Sequence, residues 1–268
     1  MEHMKRAAIL TASLAALAVI WPGACHAIVG GTLVGSDEPF RKSMVGIVNP
    51  AADGVCTGIL VRQDAVLTAA HCFDGSRNPE KYLAVFGTNL LPGHGDRVLH
   101  ISSIKIPEQY VPEQNRERSS FDIAIVRLAE PAPPGYLPAE FAEDSDYAIT
   151  EGDSFLAAGY GVSKFLRNDP GVLRKLVLPW AKLVMKEGGR VIEMQHLGAG
   201  PCSGDSGSPL FKTTPDASGK ERYQVMGVQS QAVQRAADGR FEYGICEDIG
   251  LYTSLKPYRT WIERTLAP

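Results

Sequence analysis

The sequence predicts an all-β protein with two similar β halves and a helix at its C-terminal end. Short runs rich in β-branched and aromatic residues recur along the 268-residue chain with turn residues between them, a pattern typical of a sandwich or barrel. A proline-rich stretch over residues 129–146 interrupts these runs near the middle of the chain. Helical spacing of apolar residues is clear only at the C-terminal end.

Nine runs predict the strands. In chain order they read "SMVGIV", "TGILV", "AVLTAA", "YLAVFGT", "VLHISSIKI", "DIAIVRL", "SFLAAGYG", "RYQVMGVQS" and "GLYTSL". Between the sixth and seventh runs, "AEPAPPGYLPAEFAEDSD" has too many prolines for a central strand, because proline cannot donate a hydrogen bond to a neighbouring strand. This stretch therefore connects the two halves. Beyond Pro257, Tyr258, Trp261, Ile262 and Leu266 recur every three to four residues and predict an amphipathic terminal helix.

The first 27 residues have the layout of a secretory signal peptide. Two basic residues precede an apolar run over residues 7–21, which is too short to span a bilayer comfortably. We predict cleavage after Ala27, because small residues occupy the first and third positions before that cut. Two alternatives stay open. One is a lipid-attachment site at Cys25, which lacks a leucine three residues earlier. The other is an earlier cut whose remaining stub another protease trims.

Composition predicts an ordinary soluble globular protein, with 44% hydrophobic residues and a formal net charge of −3. The basic residues are dispersed, which argues against nucleic-acid binding. No second hydrophobic run of membrane length follows the leader. We therefore expect an exported monomer, secreted or periplasmic, without a stable membrane span.

Removal of the leader leaves an even number of cysteines. These are Cys56, Cys72, Cys202 and Cys246, which suit two disulfides in an oxidising compartment. No C-x-x-C or clustered Cys/His spacing supports a metal site, and no cofactor is expected.

The stretch "CSGDSGSP", residues 202–209, is the most specific motif. Glycines on both sides of Asp205 and Ser206 permit a tight turn that exposes the serine. The same turn lets the amides of Gly204 and Ser206 point into one small volume, as the oxyanion of acyl transfer requires. Taken alone, the stretch also fits an ordinary glycine-serine loop.

Two further motifs carry a histidine and a carboxylate. His71 lies in "TAAHC" and could by itself be a structural histidine. Asp122 opens "DIAIVRL", a run apolar enough to be buried, and a buried carboxylate is costly without a partner. A histidine that this carboxylate holds in position would be such a partner.

The four ordered motifs "IVGG", "TAAHC", "DIAIV" and "GDSGSP" resemble the trypsin/chymotrypsin family of serine endopeptidases over essentially all of residues 28–268. The resemblance implies two antiparallel six-stranded barrels, at about residues 28–130 and 145–255, and a C-terminal helix at about 257–267. It also implies peptide-bond hydrolysis through an acyl-enzyme, with proteins or peptides as substrates and protein inhibitors as candidate partners.

The resemblance assigns roles to individual residues. His71 matches the general base, Ser206 the nucleophile and Asp122 the carboxylate that orients the histidine. The amides of Gly204 and Ser206 match the oxyanion hole. The cysteines match the disulfides Cys56–Cys72 and Cys202–Cys246.

The resemblance also gives a role to the sequence that follows the leader. In this family an Ile-Val-Gly-Gly terminus folds inward and its ammonium pairs with the aspartate before the nucleophile. These residues are Ile28 and Asp205 in this chain. Since no propeptide separates Ala27 from Ile28, we expect signal-peptide removal itself to activate the enzyme.

The residues at the specificity pocket argue against a basic P1 residue, the substrate residue before the scissile bond. Gly200 stands where trypsin has an aspartate, and the other pocket positions, Ser230, Ala232 and Gly250, are small. A neutral pocket of this kind favours an apolar side chain.

Departures from the family pattern leave other preferences open. Fifteen residues separate Ser230 from Cys246, and Arg235 or Arg240 in this insert could favour acidic side chains. Glu247 or Asp248 could restore a basic preference. Two other functions also remain: a catalytically silent binding module with the same fold, and an exported esterase that uses the same acyl-enzyme chemistry.

Overall fold

The fold is known from a computed structural model. It describes residues 28–112, 121–164, 169–179, 182–196, 198–243, 246 and 248–267. The predicted signal peptide lies outside these residues. The described chain is mostly β-structure and contains a closed barrel, a second sheet and one short C-terminal α-helix. The predicted all-β class is therefore confirmed.

The first half of the chain closes into a six-stranded antiparallel barrel in the order β2, β3, β4, β7, β6, β5. The strands are β2 Met44–Asn49, β3 Gly54–Arg62, β4 Ala65–Thr68, β5 Leu83–Phe86, β6 Arg97–Lys105 and β7 Ala124–Leu128. Apolar side chains such as Leu60, Phe73 and Phe86 cluster here and are buried. In the pairing of β4 with β7, Thr68 lies opposite Ala124. The chain therefore leaves β4 and enters β7 at the same end of the barrel.

The second half, together with β1 from the start of the described chain, forms one ten-stranded sheet with the path β1, β10, β9, β13, β14, β16, β12, β11. Two further strands, β8 and β15, pair with β14. The bounds are β1 Thr32–Leu33, β8 Glu140–Phe141, β9 Ser154–Gly159, β10 Arg174–Pro179, β11 Leu183–Lys186, β12 Val191–Gln195, β13 Pro209–Pro215, β14 Glu221–Arg235, β15 Phe241–Tyr243 and β16 Ile249–Ser254. Ten strands exceed the six expected, partly because β1, β8 and β15 are additions of two or three residues.

Another apolar cluster joins the two halves. Met44 and Ile59 of the barrel belong to one buried group with Phe211 and Val225 of the sheet and Ile262 of the terminal helix. Burial of such a continuous surface holds the halves together at roughly 25 cal/mol per Å² of apolar area. Loops from both halves can therefore contribute to one rigid site.

The terminal helix α1 spans Arg259–Leu266 and follows a 3-10 turn at Lys256–Tyr258. Its buried side chain is Ile262, in agreement with the predicted apolar stripe. Arg127 of β7 donates a 2.8 Å hydrogen bond to the carbonyl of Thr265 near the helix C-terminus, where unpaired carbonyls favour a cation. The helix is thereby fixed to the barrel.

Within the described ranges, no helix is long and apolar enough to cross a membrane. The same ranges contain no group of three His, Cys, Asp or Glu side chains that could hold a metal ion.

Candidate active site

Two neighbouring strands of the barrel bring His71 and Asp122 together. His71 lies in the 3-10 turn Ala70–Phe73 just after β4, and Asp122 lies two residues before β7. Because these strand ends are paired, the two side chains meet: His71 Nδ1 lies 2.7 Å from Asp122 Oδ2. The backbone N–H of His71 also donates to Asp122 Oδ1 at 2.9 Å. The carboxylate thus fixes both the position and the ring orientation of the histidine.

Ser206 reaches the same histidine from the turn before β13. Its Oγ lies 2.7 Å from His71 Nε2. The backbone N–H of Thr57, in β3 of the barrel, donates to the Ser206 carbonyl at 2.8 Å. The N–H of Gly207 donates to the carbonyl of Gln229, in β14 of the sheet, also at 2.8 Å. The turn is therefore held by both halves of the molecule.

Asp122 is almost fully buried and has several hydrogen-bond partners. The Ser230 hydroxyl donates to Asp122 Oδ2 at 2.5 Å, and the Thr253 hydroxyl donates to the Asp122 carbonyl at 3.1 Å. Burial alone would raise the pKa of Asp122, but His71 and the Ser230 hydroxyl outweigh it and leave the pKa below its ordinary value. Asp122 is therefore an ionised acceptor at neutral pH.

The carbonyls of Gly204 and Ser206 are both bound by one residue, Thr57. Its hydroxyl donates to the Gly204 carbonyl at 2.9 Å, and its N–H binds the Ser206 carbonyl. Among the described residues, the N–H groups of Gly204 and Ser206 have no acceptor. Gly204 has a positive φ of 96°, and a Cβ there would lie 2.9 Å from the Cα of Gly161, so the turn requires glycine. Two unpaired N–H groups next to the serine can bind a developing oxyanion.

Asp205 is fully buried beneath this turn. Its carboxylate accepts hydrogen bonds from the N–H groups of Gly161 at 2.8 Å and Cys202 at 2.9 Å. Burial nevertheless raises the pKa of Asp205 to about 7. A cation at this carboxylate would therefore be strongly favoured.

The segment that begins at Ile28 is buried against the second half of the molecule. The Ile28 side chain is fully buried in the apolar cluster of the second sheet. Val29 packs with Val162 and Cys202, and exchanges two backbone hydrogen bonds of 2.9 and 2.8 Å with Gly200. The predicted pair Ile28 and Asp205 thus lie in the same buried region.

Comparison with known proteins identifies the family. A family model described as Trypsin matches residues 30–262. The chain belongs to the trypsin family.

Two relatives of this trypsin-family chain are each less than 30% identical to it in sequence. It is 29% identical over 269 residues to "Phenoloxidase-activating enzyme 1" of Spodoptera litura, and the match covers 90% of this chain and 67% of that protein. It is 27% identical over 260 residues to "Chymotrypsin-like elastase family member 1" of Macaca fascicularis, with 90% of each chain covered.

The predicted pocket positions of this trypsin-family chain gather around β12, β14 and β16. Ala232 lies opposite Gly250 in the pairing of β14 with β16. The Ser230 hydroxyl is turned to Asp122. A Cβ added at Gly200 or at Gly250 would meet the side chain of His196 at 3.0 or 2.8 Å. An imidazole that sequence reasoning did not predict therefore lies next to two of the predicted pocket positions.

The insert between Ser230 and Cys246 continues β14 and returns as β15. Arg235 forms a 2.9 Å ion pair with Glu193 and lies over the ring of Phe241, 4.6 Å from its centre. Arg240 pairs with Asp238 at 2.7 Å within the turn. Both guanidinium groups thus have ion-pair partners on the hairpin and its neighbouring strand. An effect of either residue on acidic substrates stays a prediction.

Of the two acidic residues that follow Cys246, the structure describes only Asp248. The Asp248 carboxylate accepts a 3.2 Å hydrogen bond from the N–H of Arg235, which directs it to the hairpin. Glu247 lies outside the described residues.

Both expected disulfides are present. Cys56 is bonded to Cys72, and Cys202 is bonded to Cys246, with sequence separations of 16 and 44 residues. The first joins β3 to the turn that carries His71. The second joins the Ser206 turn to the segment before β16.

Removing these disulfides should reduce stability in the order of their loop lengths. By the chain-entropy argument, the Cys56→Ala/Cys72→Ala variant should lose about 3 kcal/mol of unfolding free energy, and Cys202→Ala/Cys246→Ala about 4 kcal/mol. Urea unfolding in a Ser206→Ala background, which prevents self-digestion, measures both. Losses below about 1 kcal/mol would contradict the expectation.

Sequence reasoning missed Thr57, which has no motif of its own. Besides its bonds to the Gly204 and Ser206 carbonyls, its hydroxyl accepts from the N–H of Tyr160 at 3.0 Å. Its partners are about 100 to 150 residues away in sequence, so a local pattern could not reveal them.

Proposed function

We propose that this chain is a serine endopeptidase that hydrolyses peptide bonds through an acyl-enzyme. The observation that carries the proposal is the continuous line of contacts from Asp122 through His71 to Ser206, with 2.7 Å on each side of the imidazole. Membership of the trypsin family supports the same chemistry.

Each residue has a defined task in this reaction. His71 Nε2 removes the hydroxyl proton of Ser206 as Oγ attacks the scissile carbonyl carbon. The N–H groups of Gly204 and Ser206 stabilise the resulting oxyanion. His71 then protonates the leaving amine, and Asp122 stabilises the imidazolium. Water attacks the acyl-enzyme in a second cycle with the same base, which regenerates the serine.

The proposal includes export and activation by removal of the leader. Cleavage after Ala27 creates an ammonium at Ile28, in the region of the buried Asp205 carboxylate, whose pKa stays raised although Arg174 acts to lower it. The two disulfides and the trypsin-family membership support a secreted or periplasmic destination. Substrates are proteins or peptides, and a basic P1 residue is disfavoured because Gly200 supplies no carboxylate.

Labelling with a fluorophosphonate probe tests the proposal. Mature protein beginning at Ile28 should be labelled at Ser206 and should cleave peptide amides, whereas the Ser206→Ala variant should do neither. A folded mature protein that is not labelled would instead be a binding module. Labelling combined with hydrolysis of esters but not amides would identify an esterase.

A further inference from the structure

His196 lies at the end of β12, next to the predicted pocket position Gly250 on β16. It directly follows β12, and its backbone N–H donates to the Asp248 carbonyl at 2.5 Å. This bond holds the end of β12 against the segment that leads into Gly250. The side chain is buried, with 7% of the residue exposed.

The imidazole occupies the space that two missing side chains would fill. A Cβ on Gly200 would lie 3.0 Å from His196 Cγ, and a Cβ on Gly250 would lie 2.8 Å from His196 Nε2. Gly200 and Gly250 are the pocket positions that the family resemblance identified. Glycine at both positions therefore makes room for one ring, so the imidazole lies against both predicted pocket positions.

Both nitrogens of this ring are buried and, within the part of the chain that is described, have no hydrogen-bond partner. A neutral imidazole carries one N–H donor and one acceptor nitrogen, and burying them unpaired is unfavourable. The hydroxyl of Tyr252, also buried, has no partner among the described residues either, and a ring carbon of Tyr252 lies 2.9 Å from the Cβ position of Gly250. The rings of His196 and Tyr252, each with an unpaired polar group among the described residues, thus both lie next to the Gly250 position.

A purely structural role does not explain this arrangement. An apolar side chain of similar size would fill the same space without leaving donor and acceptor unpaired. Burial lowers the pKa of His196 to about 3, so the ring is neutral in the free protein. A neutral ring can exchange hydrogen bonds with a substrate group that carries an acceptor oxygen.

We propose that His196 determines substrate specificity by hydrogen bonding the acceptor oxygen of a P1 glutamine or glutamate side chain. The inference rests on the proposed peptidase function and names the substrate class of the same site. It replaces the apolar preference that the small pocket residues alone suggested. The N–H of the neutral ring can donate to the carboxamide oxygen of glutamine, and the other ring nitrogen can accept from the carboxamide NH₂. A carboxylate would be bound together with a proton taken up by the ring.

Matched peptide substrates that differ only at P1 test this inference. With mature wild-type enzyme, kcat/KM for the better of the P1 glutamine and glutamate substrates should exceed that for P1 leucine and methionine by at least about tenfold. The His196→Phe variant, which keeps a ring, should lose most of this ratio while retaining cleavage after leucine. The His196→Asn variant, which keeps a hydrogen-bond donor, should retain part of the preference for glutamine or glutamate over leucine.

Two controls separate the possible failures. Fluorophosphonate titration of Ser206 counts the competent sites in each variant and does not depend on P1. If the wild type is neither labelled nor active on any substrate, the proposed function fails. If it is labelled and active but its P1 ratios match those of His196→Phe, only the role of His196 is overturned.

A second measurement covers the case in which His196→Phe does not fold. In ¹⁵N-labelled Ser206→Ala protein, a peptide acid ending in glutamine should shift the imidazole nitrogens of His196, and the leucine analogue should not. Equal responses to the two peptides would overturn the proposal.

Discussion

Replacing Asp122 by Asn is expected to lower kcat about 10⁴-fold and to leave the fold intact. The magnitude is that of the family's general triad chemistry. The structure supplies the reason, since Asp122 Oδ1 accepts from the His71 backbone and Oδ2 faces the ring nitrogen Nδ1. With Oδ1 retained, an asparagine would present its NH₂ to Nδ1, which stabilises the tautomer whose Nε2 carries the proton. That nitrogen could then no longer accept the proton of Ser206.

Ser230→Ala is the matched control for this prediction. It removes one of the donors to Asp122 Oδ2 but keeps the carboxylate, so it should reduce kcat far less, by about tenfold. Steady-state kinetics on one peptide amide, with circular dichroism and thermal unfolding as tests of folding, measure both variants. A properly folded Asp122→Asn variant with wild-type activity would contradict the assigned role.

Features set by local chemistry could be predicted from the sequence. The turn around Ser206 depends on neighbouring glycines, and the burial of Asp122 depends on the apolar run that it opens. The strand that follows Asp122 is likewise evident from its continuous apolar run, and the terminal helix from the three-to-four-residue spacing of its apolar residues. Each of these signals lies within about ten residues, where steric and hydrogen-bonding rules act directly.

Strands β10 to β13 were not among the predicted runs. β10 reads "RKLVLP" and β11 reads "LVMK", in which lysines and a proline weaken the β pattern. Their pairing with distant strands decides their structure, because tertiary packing outweighs intrinsic β propensity. The ten-stranded sheet could therefore not be counted from the sequence.

Contacts between residues that are far apart in the sequence could not be predicted either. Ser230 was predicted as a pocket residue, yet its hydroxyl binds Asp122, 108 positions away. His196 had no recognisable motif, and its position at the pocket depends on the register of β12 against β16. Such residues can be found only when three-dimensional pairing is known.

One additional residue before Ile28 is expected to reduce kcat/KM about 10²- to 10³-fold relative to the chain that begins at Ile28. The extension replaces the ammonium by an amide, so the buried Asp205 carboxylate loses this cation and keeps only the influence of Arg174. Loss of a buried charge partner costs about 3 to 5 kcal/mol. The Ser206 turn that Asp205 supports would then be formed in a small fraction of molecules. Active-site titration together with kcat/KM distinguishes fewer competent sites from slower chemistry.

Two variants isolate the role of the charge. Ile28→Val in the mature chain keeps the ammonium and most of the buried side chain, so it should remain active within about tenfold. Asp205→Asn should inactivate the mature chain, because the ammonium then lacks its carboxylate. Full activity of the extended chain would show that the ammonium is not needed.

The pH dependence of stability gives an independent measure of the same interaction. In the extended chain the folded Asp205 has a pKa of about 7, well above its value in the unfolded chain, so ionisation favours unfolding. Stability should therefore fall as the pH rises from about 4 to about 7, by about 4 kcal/mol at about 1.4 kcal/mol per pH unit. In the Asp205→Asn form of the extended chain this loss should be absent. The mature chain should also lack it, since the ammonium stabilises the carboxylate. Urea unfolding from pH 4 to 8, in a Ser206→Ala background, measures all three. The same loss in the mature chain as in the extended chain would place Asp205 and the Ile28 ammonium apart, and the same loss in the Asp205→Asn form would assign it to another group.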